Sequence, residues 1–332
     1  MPGAHRRKKK DPRLETDLLE IVTPETAGDP MTTRKWVRSS LRRLSQRLAD
    51  VGHAASAPTV SRLLKKHDYA RRVNAKEKEA GSQHPERDTQ FQYIEAQKAA
   101  CAAAGGAIIS VDTKKKELIG NFKNAGQAWC QQPEEVNVHD FLTQALGRAA
   151  PYGIYDLQRK AGAVYVGVSA DTPEFAVTAI AQWWEECGRV VYPHARQLLI
   201  LADAGGSNGY RPRLWKAQLQ SQLSDQFGLT VTVCHYPTGC SKWNPIEHRL
   251  FSQISINWAG KPLRTFDTML GYLRDTTTTT GLKVTARLLD GIYQTGKKVA
   301  DAVMKTLNVE PHAVCPHWNY TFRPRVDGAL AT

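Results

Sequence analysis

Two nearly unbroken apolar runs, Ala-Ile-Ile-Ser-Val at 107–111 and Leu-Leu-Ile-Leu-Ala at 198–202, constrain this chain more than any other feature. Neither alternates with polar residues, so neither suits a sheet with one wet face. Both read as strands covered on two sides, as in a parallel or mixed sheet with helices above and below. Each run ends in an aspartate, Asp112 and Asp203. A third acid, Glu247, lies in KWNPIEHRLF. There Asn244 suits a helix N-cap, Pro245 the first helical position and Glu247 the first turn, where the helix dipole favours a carboxylate.

The intervening segments fit the same scheme. The sequence predicts a helix over 89–103 and a strand over 107–112. After the TKKKE turn, the strand LIGNFKN returns in hairpin fashion. A long irregular connection follows over 125–150, then strands at YGIYDL and GAVYVGVSA. A helix opens at Thr172 and Pro173, followed by the strand RQLLILAD, an amphipathic helix ending at Gly228, the strand LTVTVCHY and the helix NPIEHRLFSQISINW. Beyond 259 the tail reads as helical pieces around a TTTTT tract. Early strands followed by alternating strand and helix make an α/β, ribonuclease-H-like mixed sheet flanked by helices. In that order the first and fourth strands lie side by side, which brings Asp112 near Asp203.

The N-terminal part differs in character. Residues 1–80 hold 19 Lys/Arg against 10 Asp/Glu, so most of the formal net charge of +13 sits there. Clustered cations attract polyanions, and nucleic acid is the expected partner. The stretch DPRLETDLLEIV reads as a short helix. MTTRKWVRSSLRRLSQRLADVG has helical spacing over 31–52, with Trp36, Leu41, Leu44, Leu48 and Val51 near one face. After the turn HAASA comes a second helix, PTVSRLLKKHDYARR. The pair resembles a helix-turn-helix, in which Thr59, Ser61 and Arg62 face base edges while Lys65, Lys66, Arg71 and Arg72 hold phosphates. The regions expected are a basic polar segment 1–30, the helix-turn-helix-like region 31–75, a linker and helix 76–104, the ribonuclease-H-like domain 105–260 and a helical extension 261–332.

Several classes are excluded. No apolar run approaches the roughly 20 residues of a membrane span, and the basic start is not followed by the apolar stretch of a secretory signal. A cytoplasmic, nucleoid-associated protein is expected. The scattered cysteines form no C-x-x-C pair. Neither Cys234, His235 and Cys240 nor His312, Cys315 and His317 has zinc-site spacing. AGGSNG after Asp203 lacks the spacing of a nucleotide-binding loop. Its glycines are expected to let the backbone and Asn208 approach a metal site or DNA.

Three acids gathered from strand ends and a helix would repel one another unless a cation lay between them. Mg²⁺ takes hard oxygen ligands and keeps several waters, so a few carboxylates suffice. Two such ions about 3.5–4 Å apart activate an entering oxygen and stabilise a leaving one in phosphodiester chemistry. Asp112, Asp203 and Glu247 are therefore the expected catalytic and metal-binding residues. Two Mg²⁺ ions, or Mn²⁺ in their place, are the expected cofactors. Lys114, Lys115 and Lys116 follow Asp112 where a DNA backbone would pass, and His248 and Arg249 follow Glu247. All five are expected to contact DNA.

At the segments SVDTKKKELIGNFKNAG, FAVTAIAQWWEECG, LLILADAGGSNG and VTVCHYPTGCSKWNPIEHRLFSQISINWAGKPL the chain resembles the DDE transposases of bacterial insertion sequences. The resemblance is to the ISAzo-type, or Rhodopirellula transposase, family, and it runs from about residue 28 to the end. It implies a ribonuclease-H-like catalytic domain with its acidic triad on Asp112, Asp203 and Glu247. It also implies divalent metal, transposon-end and target DNA as partners, and a homodimer or higher oligomer on that DNA. The interval from Asp203 to Glu247 is longer than in many related transposases. The N-terminus is short for the family, which implies that a first pair of DNA-binding helices is missing. The alternatives are a nuclease of the same fold without strand transfer and an inactive, domesticated DNA-binding protein.

Overall fold

The computed structural model describes residues 11–28, 35–37, 39–67, 69, 84–127, 132, 134–138 and 142–325. The chain divides into two compact units, Met1–Glu77 and Lys78–Thr332.

The first unit is built on α1 (Leu14–Glu25), α2 (Leu41–Asp50) and α3 (Ala57–Lys66). Leu18 and Val22 of α1, Leu44 and Leu48 of α2, and Val60 and Leu64 of α3 pack into one buried cluster with Ala55. The helix expected from residue 31 is shorter than that. Lys35–Val37 is a short strand paired antiparallel with Thr26–Gly28, so Trp36 lies in a strand. The helix starts only after Ser40, whose hydroxyl accepts from the Arg43 amide at 3.2 Å. This N-cap satisfies one orphan donor and fixes the start.

Charge holds α1 in place as well. His53, 8% exposed, sets Nδ1 2.6 Å from Asp11 Oδ2 and Nε2 2.5 Å from Asp17 Oδ2. Carboxylates only accept, so both contacts are hydrogen bonds at once only when the ring is protonated on both nitrogens. Nearby, Lys66 Nζ and His67 Nε2 both reach Glu15 at 2.7 Å.

The second unit is a nine-stranded mixed sheet between helices. Its strands are β1 (Ala107–Thr113), β2 (Gly147–Asp156), β3 (Ala161–Gly167), β4 (Gln197–Ala202), β5 (Thr230–His235), β6 (Lys283–Leu289), β7 (Val309–Pro311) and β8 (Asn319–Phe322). Their order is β7-β8-β5-β4-β1-β2-β3-β6, and the short strand Glu117–Ile119 adds to β2. The meander β1-β2-β3 is antiparallel, while β4 runs parallel to β1 and β5 parallel to β4. This is the ribonuclease-H-like arrangement.

The apolar runs behave as two-faced strands. Ile109, Val111 and Ile200 pack against α5 (Pro173–Trp183) and α6 (Arg213–Leu219), through Phe175, Ile180, Trp215 and Leu219. Ile108, Leu199 and Leu201 face the other way, against Ile94 and Cys101 of α4 (Arg87–Ala103). Thr172 caps α5 by accepting from the Phe175 amide, as its position before Pro173 predicts.

Two expectations fail. The strand after the TKKKE turn does not form a hairpin with β1. Glu117–Ile119 pairs with Ala149, Arg148 and Gly147 of β2, because β1 already has β4 and β2 on its two edges. The tail is also not simply helical. It holds a helix over Phe266–Arg274, but β6 extends the sheet beside β3, and β7 and β8 extend it beside β5. Among the described residues no helix is long and apolar enough to cross a membrane.

The clamp on His53 gives a testable pH dependence. Its two carboxylate partners raise the His53 pKa above the ordinary 6.5, and the hydrogen bond from His53 lowers that of Asp11 below 3.8. A raised histidine pKa stabilises fully below the ordinary value and is lost as pH rises through the folded-state value. The lowered Asp11 acts oppositely, losing its contribution only in acid. Amide exchange in α1 of the full-length protein should therefore quicken as pH rises above neutral, beyond the intrinsic base-catalysed increase. The His53→Leu variant should abolish this excess.

Candidate active site

The site forms at the C-terminal ends of β1 and β4. Val111 pairs with Ala202 in parallel register, so Asp112 and Asp203 leave adjacent strands side by side. Both are half-buried. Asp112 Oδ1 accepts from the Thr113 amide at 2.8 Å, and Asp203 Oδ1 accepts from Asn244 Nδ2 at 3.0 Å. One oxygen of each aspartate is thus held by an N–H donor, and the other has no protein hydrogen bond among the described residues.

Glu247 arrives on the helical segment after Pro245. Its first turns are a π-helix over Glu247–Phe251, which continues as the α-helix Ser252–Asn257. The segment lies close against the sheet because two glycines leave room. A Cβ on Gly153, the β2 partner of Asp112, would stand 2.5 Å from Phe251 Cε1. A Cβ on Gly162 would stand 2.6 Å from Leu250 Cδ1.

Asn244 is not the expected side-chain cap. Its amide points inward, to Asp203 and to the Val111 carbonyl at 3.3 Å. The Ile246 amide is instead satisfied by Ser110 Oγ of β1 at 3.1 Å.

Electrostatics marks this cluster. Burial first, then the charges of Asp203, Glu247 and Asp171, push Asp112 up to about 8, although the Thr113 amide opposes this. Burial and the Glu247 charge push Asp203 up to about 6 against the hydrogen bond from Asn244. The donor set is all carboxylate oxygen and mutually repelling, which suits a hard divalent cation. Among the described residues, no three acidic, histidine or cysteine side chains stand close enough to hold a metal as they are. Asp112 and Asp203 do line a common cavity of about 360 Å³ with Ala204–Gly206, Pro237–Gly239 and Ser241, and Glu247 is not part of its wall.

Behind Asp203, the chain is fixed by a buried relay. Trp215 Nε1 donates to Tyr320 Oη at 3.0 Å and Tyr320 Oη donates to His235 Nε2 at 2.7 Å. His235 Nδ1 donates to the Asp203 carbonyl at 2.8 Å. Burial lowers His235 to about 4, so the ring is neutral and its tautomer is set by these partners.

The other expected residues are placed as follows. Lys114 is turned inward, with Nζ 3.0 Å from Glu117 and 4.9 Å from the Trp258 ring, while Lys115 and Lys116 are exposed. Asn208, expected to approach a metal site or DNA, is 1% exposed and its Oδ1 accepts from Ser207 Oγ. Its Nδ2 has no hydrogen-bond partner among the described residues. His248 and Arg249 are exposed, and the His248 ring contacts the Lys242 carbonyl. In the first unit Arg62 and Lys65 are exposed, Lys66 is paired with Glu15, and Thr59 and Ser61 are half-buried. Thr59 also contacts the Ser56 hydroxyl. Arg71 and Arg72 lie outside the described residues. Sequence reasoning missed Asp171, which accepts from Thr113 Oγ1 at 3.1 Å and whose charge Asp112 feels. Its signal was the same as for the others, an aspartate just past a strand run, GAVYVGVSAD. Ser110 and Gly153 gave no such signal.

A β1-β2-β3 meander extended by parallel β4 and β5 is the ribonuclease-H-like architecture, and here acids stand at the ends of β1 and β4. The chain belongs to the Rhodopirellula transposase DDE domain family, whose model matches residues 17–324. It is accordingly a DDE transposase. No curated protein matches it. Among solved structures it is similar to the Mos1 mariner paired-end complex with Mn, at 13% identity and a TM-score of 0.44, over 82% of this chain and 72% of that one. It is also similar to the Mos1 transposase paired-end complex with left transposon end, at 13% identity and a TM-score of 0.43, over 81% and 73%.

The raised Asp112 pKa predicts an effect on stability without metal. A carboxyl group held above its ordinary value stabilises the fold below about 3.8 and loses that contribution as pH rises through about 8. In EDTA the wild type should lose thermal stability across this interval. Asp112→Asn, which cannot ionise there, should melt several degrees higher at the alkaline end. Equal melting curves would show that Asp112 carries no such burden.

Proposed function

We propose that Asp112, Asp203 and Glu247 are the catalytic carboxylates of this transposase, and that they hold divalent metal, Mg²⁺ or Mn²⁺, as a pair of ions. The observation that carries this reading is the parallel β1–β4 register, which sets two repelling carboxylates side by side, with one oxygen of each bearing no hydrogen bond among the described residues. Glu247 lies within electrostatic reach of both. A bound cation would supply the positive charge that activates the entering oxygen and steadies the leaving one.

The substrate is DNA, at the element's ends and then at the target. In the first step water attacks a phosphorus at the transposon end, and the bond to the 3′ oxygen breaks to leave a 3′-hydroxyl. In the second step that hydroxyl attacks a target phosphorus and displaces another 3′ oxygen, joining the strands. Lys115, Lys116 and Arg249 are exposed, each within a few residues in sequence of one of the acids, and suit the backbone of the bound strand. Lys114 supports the turn from inside. In the first unit, Arg62 and Lys65 are exposed on α3 and suit the DNA of the element's ends. Assembly of two or more copies on that DNA belongs to the same reading.

Incubation of the full chain with its own element ends and Mg²⁺ tests the assignment. Wild type should cut the ends and join pre-cut ends to target DNA. Asp112→Asn, Asp203→Asn and Glu247→Gln should each reduce both products to background while retaining DNA binding. Cutting without joining of pre-cut ends would leave a nuclease, and unchanged products would remove these acids from the mechanism. Arg62→Ala and Lys65→Ala should each weaken end binding and reduce its salt slope by about one. Measuring affinity over a salt series checks this.

A further inference from the structure

We propose that Ser110 and Asn244 are a buried positioning pair that fixes the relative placement of Asp112, Asp203 and Glu247 for cation binding. This rests on the reading above and identifies how that site is assembled.

Both side chains are fully buried, at 0% exposure. Asn244 Nδ2 donates to Asp203 Oδ1 at 3.0 Å and to the Val111 carbonyl at 3.3 Å. Asn244 Oδ1 accepts from Ser110 Oγ. Ser110 Oγ in turn accepts from the Ile246 amide at 3.1 Å, and the Asn244 carbonyl accepts from the Glu247 amide at 3.1 Å. One amide therefore touches all three acid-bearing segments. It grips β1 at the Ser110 hydroxyl and at the Val111 carbonyl, immediately before Asp112. It holds the Asp203 carboxylate directly, and its own backbone anchors the turn that starts at Glu247.

The pattern is not that of a helix cap. A capping asparagine would spend its side-chain oxygen on the first free amides of its own helix. Here that oxygen is spent on Ser110, and the serine takes over the amide. The exchange ties the helix start to β1 through side chains more than a hundred residues apart in sequence. It also uses every hydrogen-bonding group of a side chain that would be costly to bury unpaired. Whatever charge the acids carry without a cation pushes their segments apart, and this pair opposes that push. By gripping only Oδ1 of Asp203 it leaves Oδ2 open. Groups that orient ligands in this way typically change metal affinity by about 10–100-fold when removed.

Mn²⁺ binding to the full chain without DNA, followed by the electron paramagnetic resonance of free Mn²⁺, tests the proposal. Mg²⁺ dependence of end cleavage is the second readout, and melting in EDTA reports folding. Ser110→Ala deletes one oxygen and contacts no carboxylate, so it keeps the test alive if Asn244→Ala does not fold. In Ser110→Ala the Mn²⁺ midpoint and the Mg²⁺ concentration for half-maximal cleavage should both rise about tenfold or more. The rate at saturating Mg²⁺ should largely recover. A merely structural role would lower the amount of binding and the maximal rate while leaving both midpoints at the wild-type value, and that result overturns the proposal. Glu247→Gln separates the two readings. If it weakens Mn²⁺ binding while Ser110→Ala and folded Asn244→Ala do not, the metal site stands and the positioning pair falls. If the wild type itself binds no Mn²⁺, the metal reading fails first.

Discussion

The site depends on one pairing, that of β1 with β4 in parallel register. Backbone hydrogen bonds and two-sided apolar burial hold these strands together, and their ends carry Asp112 and Asp203 with them. Packing supplies the driving force and electrostatics opposes it. Buried apolar surface contributes roughly 25 cal/mol per Å², and the strands bring Ile109, Val111, Leu199, Ile200 and Leu201, all close to fully buried. Two half-buried carboxylates are a tolerable cost beside that sum. The site is therefore built by a hydrophobic sheet that does not need the acids, and function occupies the place where the sheet stops.

The third carboxylate is a harder problem, because it lies on a helix with no strand to fix its register. Three features answer it. Gly153 and Gly162 remove the side chains that would keep the helix off the sheet. Ser110 supplies the first turn with an acceptor from β1. Leu250, Phe251, Ile254 and Trp258 then bury the helix against Val164, Val166 and the helix Phe266–Arg274. The tail helps to build this wall as well. The β6 strand beside β3 contributes Val284 and Ala286 to the same cluster, so the segment after residue 261 is part of the catalytic unit's packing.

The sequence disclosed what local chemistry decides. The apolar runs of β1 and β4, the Thr172-Pro173 start of α5 and the acid at each strand end are readable because each depends on neighbours a few residues away. Much of the rest depends on distant partners. Glu117–Ile119 looked like the return arm of a hairpin because the charged turn before it was visible, while the prior claim of β2 and β4 on β1 was not. The tail strand Lys283–Leu289 did carry a signal. Val284 and Ala286 are buried and Lys283, Thr285 and Arg287 are exposed, which is strand alternation. The neighbouring threonine tract and the helix before it masked that alternation. Asn244 was legible as a residue at a helix start, but the inward turn of its amide was not. Nothing near position 244 announces that a serine in β1 will perform the capping.

The relation between stability and activity follows from these contacts. Without a cation, burial and mutual repulsion favour the protonated forms of Asp112 and Asp203. Asp171 adds to that pressure from the far side of Thr113. A divalent cation would displace those protons, and its binding would strengthen with pH as they leave. The same burial that penalises the free carboxylates excludes water from the charges that would hold the ion, which strengthens each attraction. An apolar sheet end is thus both why the acids are strained when empty and why they would hold a cation tightly when filled.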